Sequence, residues 1–207
     1  MHALIVSNGF PPARELLEIE IQKADLVIGA DGGGNRILDH GFIPHAVIGD
    51  LDSFEKPEDP GFEVIHKPDQ ETNDLEKALS HILQQEARTC TVLGAFGKRM
   101  DHALKNLSVL KKFNDTFEEL VYKDERFDAF LISDSFKAER PVGTIISLFP
   151  LSGEVRGVST SGLKYSLNKE VLKNGERDGT SNETISEEFH IETEAGDLVI
   201  FVERNEE

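Results

Sequence analysis

The chain has 207 residues, 38% apolar and 29% charged, and its 22 basic side chains face 39 acidic ones for a formal net charge of −17. That balance fits a folded chain of one generous domain or two small ones, and excludes a disordered segment or a multidomain machine. So acidic a surface repels phosphodiester backbones and argues against nucleic-acid binding, while a free nucleotide could still bind at a local device such as a metal, a helix N-terminus or placed arginines.

The first apolar run, Leu4-Ile5-Val6, gives way to Ser7-Asn8-Gly9 too soon for a signal sequence. No stretch of about 18 apolar residues follows anywhere, so the expectation is a cytoplasmic chain with no membrane partner. Up to about residue 125, further short β-branched runs occur at Leu26-Val27-Ile28, Ala46-Val47-Ile48, Val64-Ile65 and Val92-Leu93. They read as buried strands. Between them, Leu75, Ala78, Leu79, Ile82 and Leu83 predict a helix over about 72–87, with Asn73 and Glu76 as a capping pair. Ala103, Leu104, Leu107 and Leu110 predict another over about 101–113, with those four inward. Strand–helix alternation of this kind implies an α/β domain over residues 1–125, its sheet mostly parallel and covered by helices.

After residue 125 the texture changes. Phe127–Ile132, Gly143–Phe149, Glu154–Ser159, Phe189–Glu192 and Leu198–Val202 read as strands between Pro, Gly, Asn and Asp clusters, with no helical stripe. Residues 126–207 are therefore expected to form a smaller all-β, sandwich-like domain with an acidic, solvated face.

The residues that carry chemistry sit after strands. Asp31-Gly32-Gly33-Gly34-Asn35-Arg36 follows one strand, and Gly49-Asp50-Leu51-Asp52-Ser53 follows another. Asp69-Gln70-Glu71-Thr72-Asn73-Asp74 and Gly94-Ala95-Phe96-Gly97-Lys98-Arg99-Met100-Asp101 each open a helix. In a parallel sheet all these loops meet on one rim, where ligands bind. If the strand continues through them, Asp50 and Asp52 point the same way and reach one cation; Asp74 joins them from its helix. Carboxylates grouped with phosphate oxygens suit Mg2+. The glycine run at 32–34 reads as a place for a backbone to approach a phosphate. Gly94–Lys98 misses the P-loop pattern in spacing and in its last residue, which makes Arg99 the better phosphate clamp. Cys90 alone supports no disulfide or zinc cluster and reads as a core thiol. Asn106-Leu107-Ser108 and Asn182-Glu183-Thr184 fit the glycosylation triplet, which a cytoplasmic chain leaves unused.

At these four loops, and again at Gly162-Leu163-Lys164-Tyr165 and Gly179-Thr180-Ser181-Asn182-Glu183, the sequence resembles the thiamine pyrophosphokinases. The resemblance runs through nearly the whole chain in order. It implies a transferase that moves a pyrophosphoryl group from ATP to the thiamine hydroxyl, giving thiamine diphosphate and AMP. It further implies Mg2+ on Asp50, Asp52 and Asp74, phosphates held by Arg99, and thiamine faced by Gln70 and Asp101. Asp31, Gly32, Gly33, Asn35, Arg36, Thr72 and Asn182 fall in the matching stretches and become binding candidates. Ser181 would reach the vitamin across a homodimer interface, so that sites are shared between subunits. Asp74 and Asp101 stand as alternative proton acceptors. The rival readings are a Mg-dependent phosphatase or nucleotide hydrolase with Asp50 as nucleophile, and a nucleotide-binding regulatory module.

Overall fold

In a computed structural model, residues 1–204 are described, and they fall into two units that part after Glu125. The first is built from β1 (His2–Val6), α1 (Arg14–Lys23), β2 (Leu26–Ala30), α2 (Gly33–Asp39), β3 (Ala46–Gly49), β4 (Glu63–His66), α3 (Asp74–Gln84), β5 (Thr89–Leu93), α4 (Met100–Phe113) and β6 (Glu119–Lys123). Its strands pair in the order β6-β5-β1-β2-β3-β4, each neighbour parallel. Ala3 to Val6 of β1 and Val92 and Leu93 of β5 are fully buried, because helices cover both faces of the central strands. Every strand C-terminus therefore lies on one edge.

Helix α3 forms as its sequence predicts. Leu75, Ala78, Leu79 and Ile82 are buried at spacings of three and four, and the Asn73 side chain accepts the Glu76 N–H at 3.0 Å. Helix α4 occupies the predicted span but is rotated. Leu104 is 57% exposed, while Asn106, Val109, Leu110 and Phe113 are buried. A polar residue has taken an inward position there, and the site explains why. Helix α2 lies unusually close to the sheet. A Cβ on Gly33 would stand 1.8 Å from the Val6 carbonyl oxygen, and one on Gly34 would stand 2.7 Å from Val47.

The second unit holds β7 (Phe127–Ile132), β8 (Ser135–Glu139), β9 (Ile145–Pro150), β10 (Glu154–Ser161), β11 (Glu170–Lys173), β12 (Gly179–Glu183), β13 (Glu188–Glu192) and β14 (Leu198–Glu203). They pair antiparallel as β12-β9-β14-β7 and β11-β10-β13-β8. Ile146, Leu148, Leu198 and Ile200 of the first set meet Val155, Leu172, Phe189 and Ile191 of the second in one apolar core. The Phe130 and Phe136 rings join the two sets with centroids 5.0 Å apart. The sequence named β7, β9, β10, β13 and β14; β8, β11 and β12 went unpredicted.

The Gly33 contact makes a sharp prediction. Gly33→Ala should cost about 3 kcal/mol or more, since backbone cannot yield to the added carbon. Gly61→Ala, at φ 64 but in open space, should cost only about 1–2 kcal/mol. Chemical denaturation of both variants measures the difference, and equal losses would show that the α2 contact relaxes freely.

Candidate active site

The strand C-termini of the first unit bring three carboxylates together. Asp31, just past β2, is buried; Asp50 follows β3; Asp74 is the first residue of α3. One oxygen from each lies within 4.8 Å of the others. Gly49 makes the room, since a Cβ there would stand 2.9 Å from the Asp31 Cβ and 3.0 Å from an Asp74 oxygen. Asp31 is held at φ 47, a backbone state that costs a non-glycine residue energy and is tolerated mostly where function needs it.

Three like charges in a partly dry site repel unless something answers them. The Asp50 N–H donates to Asp74 Oδ1 at 3.2 Å, and the buried Lys77 ammonium pairs with the same oxygen at 3.0 Å. The Ser53 N–H donates to Asp31 at 3.2 Å. Burial still pushes the Asp31 carboxyl above the ordinary aspartate value, and the Asp74 charge adds to the push. The Gln70 amide, donating to Asp50 at 3.1 Å, holds the Asp50 carboxyl below it. Oxygen-only donors, packed close and under-neutralised, are what a hard divalent cation such as Mg2+ takes.

The extended strand expected to carry Asp50 and Asp52 to one side does not form. Strand β3 ends at Gly49, and Leu51 sits at φ 63, so the alternation that would put Asp50 and Asp52 on one side is broken. Asp52 is exposed and accepts the Ser53 hydroxyl at 2.9 Å, while its own N–H donates to Asp50. It lines the same cavity without joining the trio.

That cavity measures about 580 Å3 and is lined from five loops of the first unit. Gln70, Thr72 and Arg99 line it as expected, and so does His102. Asp101 does not: its carboxylate turns back to chelate the Arg99 guanidinium, Nε at 3.1 Å, which holds it down at about 2. Gly32, Gly33, Asn35 and Arg36 also stay off the lining. The space beside Gly32 and Gly33 is taken by Asn8 and the Val6 carbonyl, so these glycines seat a helix where the sequence suggested a phosphate cradle. Asn35 braces the loop after β3 through Ser53 and Glu55, and Arg36 pairs with Asp39 at 3.5 Å.

Two family models match the chain in sequence: the catalytic domain of thiamin pyrophosphokinase over residues 17–122, and its vitamin B1 binding domain over 135–198. The chain belongs to the thiamin pyrophosphokinase family. It is 31% identical to thiamine pyrophosphokinase 2 of Arabidopsis thaliana over 94% of its own length and 83% of the relative's. It is 29% identical to thiamin pyrophosphokinase 1 of Caenorhabditis elegans over 87% and 80%. In fold, it superposes on the crystal structure of the Bacillus subtilis thiamine pyrophosphokinase with a TM-score of 0.84 at 24% identity, covering all of both chains. The Candida albicans thiamin pyrophosphokinase gives 0.85 at 19% identity, over 99% of this chain and 89% of that one.

In the second unit, Ser181 and Asn182 meet different fates. Ser181 is exposed at φ 61 where the β12–β9 register shifts, a bulge that aims its side chain outward. Asn182 is buried and spends its amide on the Tyr165 backbone, accepting at 3.0 Å and donating at 2.8 Å. Its amide oxygen also accepts the Glu183 N–H at 2.9 Å, so the side chain fixes the loop at Tyr165.

Sequence reasoning missed Lys77, the Ser7–Gly9 loop and Asn106, all on the cavity wall. Lys77 could have been found three residues after Asp74 on α3. The Ser7–Gly9 loop follows β1 on the same rim as the four that were noticed. Asn106 appeared only as a glycosylation triplet. Its side chain donates to the Ala95 carbonyl at 2.7 Å and accepts from Asn73 at 2.9 Å, tying the α3 cap to the loop before α4. Asn106→Leu strands the buried Ala95 carbonyl and removes the acceptor of the half-buried Asn73 amide, and should cost about 1–3 kcal/mol. A denaturant midpoint that does not move would mean these bonds are replaced by water without loss.

Proposed function

We propose that this chain is a thiamine pyrophosphokinase in its own right, moving the β,γ-pyrophosphoryl group of ATP to the hydroxyl of thiamine. The observation that carries the reading is the Asp31–Asp50–Asp74 convergence on the cavity of a chain from this family. The thiamine hydroxyl oxygen bonds to the β-phosphorus and the bond from that phosphorus to the α,β-bridging oxygen breaks. AMP leaves with the bridging oxygen, and the hydroxyl proton is released. The phosphatase and regulatory-module alternatives find no support among the relatives.

Asp50, Asp52 and Asp74 would hold Mg2+, with Asp31 beside them; the Asp31–Asp50–Asp74 grouping and the place of Asp52 on the same cavity wall support the reading. When bound, the ion would neutralise phosphoryl oxygens. The protein's part is positioning. Gln70 orients Asp50, Lys77 restrains Asp74, and Arg99 presents a fixed charge to the transferring group. Asp101, held near 2 by Arg99, is a feeble base at neutral pH and serves to aim the guanidinium. Thiamine would be faced by Gln70 and, from the second unit, by Ser181.

We also propose a homodimer with sites shared between subunits, acting in the cytoplasm. The family resemblance supports it, as do the exposed apolar Val142, Tyr165 and Ile185 of the second unit. Among the described residues no helix is long and apolar enough to cross a membrane.

With ATP, Mg2+ and thiamine, AMP should form one for one with thiamine diphosphate; ADP and thiamine monophosphate would overturn the pyrophosphoryl transfer. Asp50→Asn should lower turnover by about two orders of magnitude or more, while stability without metal holds or rises as repulsion is relieved. Near-normal turnover would place the ion elsewhere. Mixing Asp50→Asn with Ser181→Trp subunits, each inactive alone, should restore about a quarter of wild-type activity by two-fold symmetry. No recovery after verified exchange would confine each site to one chain.

A further inference from the structure

On the cavity wall, the loop after β1 and the loop after β5 are zipped together. Ser7 N–H donates to the Leu93 carbonyl at 2.8 Å, Gly9 to Gly94 at 2.9 Å and Phe10 to Phe96 at 2.8 Å. Two side chains on these loops lack the partners that their chemistry asks for. The Ser7 hydroxyl is buried, at 6% exposure, on the cavity lining, and no hydrogen-bond partner meets it. A hydroxyl removed from water without a partner costs free energy unless something arrives to bond it. Lys98 lines the same cavity from φ 53, a backbone state that disfavours every residue with a Cβ. In a chain with 39 acidic residues, its ammonium rests on a neutral acceptor, the Asn8 amide oxygen, at 3.0 Å. Among the described residues, no carboxylate lies within ion-pair distance of it.

We propose that Lys98 and Ser7 form a phosphate-holding arm of the cavity, separate from the carboxylate trio, that grips the anionic tail of the nucleotide. The assignment rests on the nucleotide reading above. Asn8 acts as the rest position for the ammonium: strong enough to point it, weak enough to release it. Partial burial and the nearby Arg36 charge both lower the Lys98 pKa, so the ammonium gains when an anion arrives. Arg99 differs, because it already has a carboxylate partner in Asp101. The rival account makes Lys98–Asn8 a structural latch, with no ligand in view.

Isothermal titration with ATP in the presence of Mg2+, without thiamine, separates the two accounts when paired with melting curves of the unliganded protein. Lys98→Gly removes the ammonium and the backbone strain together. Its ATP dissociation constant should rise about tenfold or more, while its Tm holds or rises. Asn8→Asp supplies the missing carboxylate on the same side-chain shape; it should raise Tm and weaken ATP as well. Lys98→Arg should keep ATP affinity within about threefold, and Ser7→Ala should lose about fivefold. A latch predicts the reverse pattern, with Tm lowered in Lys98→Gly and ATP affinity unmoved in Asn8→Asp, and that result overturns the arm. ATP binding that weakens as described in a protein that makes no thiamine diphosphate would leave the arm standing and sink the reaction. A wild-type chain that does not bind ATP sinks the arm too.

Discussion

The mutual repulsion of Asp31, Asp50 and Asp74 organises the rest of the first unit. Carboxylate oxygens within 4.8 Å of one another, one of them on a buried residue, are unfavourable in a medium less polar than water. The chain tolerates them because the parallel sheet leaves no other geometry: β2, β3 and the start of α3 all deliver their residues to one edge. Gly49 lets the three approach, Lys77 and two backbone N–H groups soften the repulsion, and the residue at φ 47 absorbs the remaining strain. A cation bound there would gain what the apo fold gives up. Stability and function are set against each other at this point.

The layer behind the site keeps that arrangement from relaxing. Glu76, one turn into α3 and 3% exposed, meets Lys105 at 3.2 Å and also Lys112, both on α4. Hydrogen bonds from those lysines hold its carboxyl below the ordinary glutamate value despite burial. Such a buried pair adds little net stability, because desolvation offsets the attraction. Its use here is orientation: α3 cannot turn about its axis without leaving Glu76 unpaired, so Asp74 and Lys77 stay where the cavity needs them. Asn106 does the same for the loop carrying Arg99. This is why α4 turns an asparagine inward and leaves Leu104 in solvent, against the reading of its apolar spacing.

What the sequence revealed follows the same physics. The parallel strands β1 to β5 and the capped α3 were legible because burial and capping leave local marks, while β6, buried at Leu120, Val121 and Tyr122, went unread. Helix α1 was overlooked because Glu20, at 2% exposure, interrupts its apolar face. The glutamate is admissible because two lysines meet it, Lys23 on the same helix at 3.0 Å and Lys123, distant in sequence, at 3.1 Å. The strands that went unseen in the second unit, β8, β11 and β12, close the ends of their sheets, where charged and polar residues guard against pairing with other chains. At the site, the loops and their acids could be named, but not which acids converge. That depends on the φ values of Asp31 and Leu51, and nothing in the local sequence fixes a left-handed residue that is not glycine. Gly32 and Gly33 erred in the other direction, since a glycine run signals close approach without saying whether a ligand or the protein itself fills the space.

A strongly acidic chain that takes an anionic nucleotide is the remaining tension, and distance resolves it. At physiological ionic strength, exposed charges fade over about 8 Å, so the net charge of −17 acts on what approaches from afar. A long polyanion samples that whole surface and is turned away. A nucleotide inside the cavity meets its local walls instead: carboxylates able to share a cation with it, and Lys77, Lys98, Arg99 and Lys105 on the lining. The same distant field favours a cationic partner such as the thiazolium ring of thiamine. An acidic envelope with a cavity that is part acidic and part basic thus suits the two substrates of the proposed reaction at once, drawing one by its net charge and holding the other by local placement.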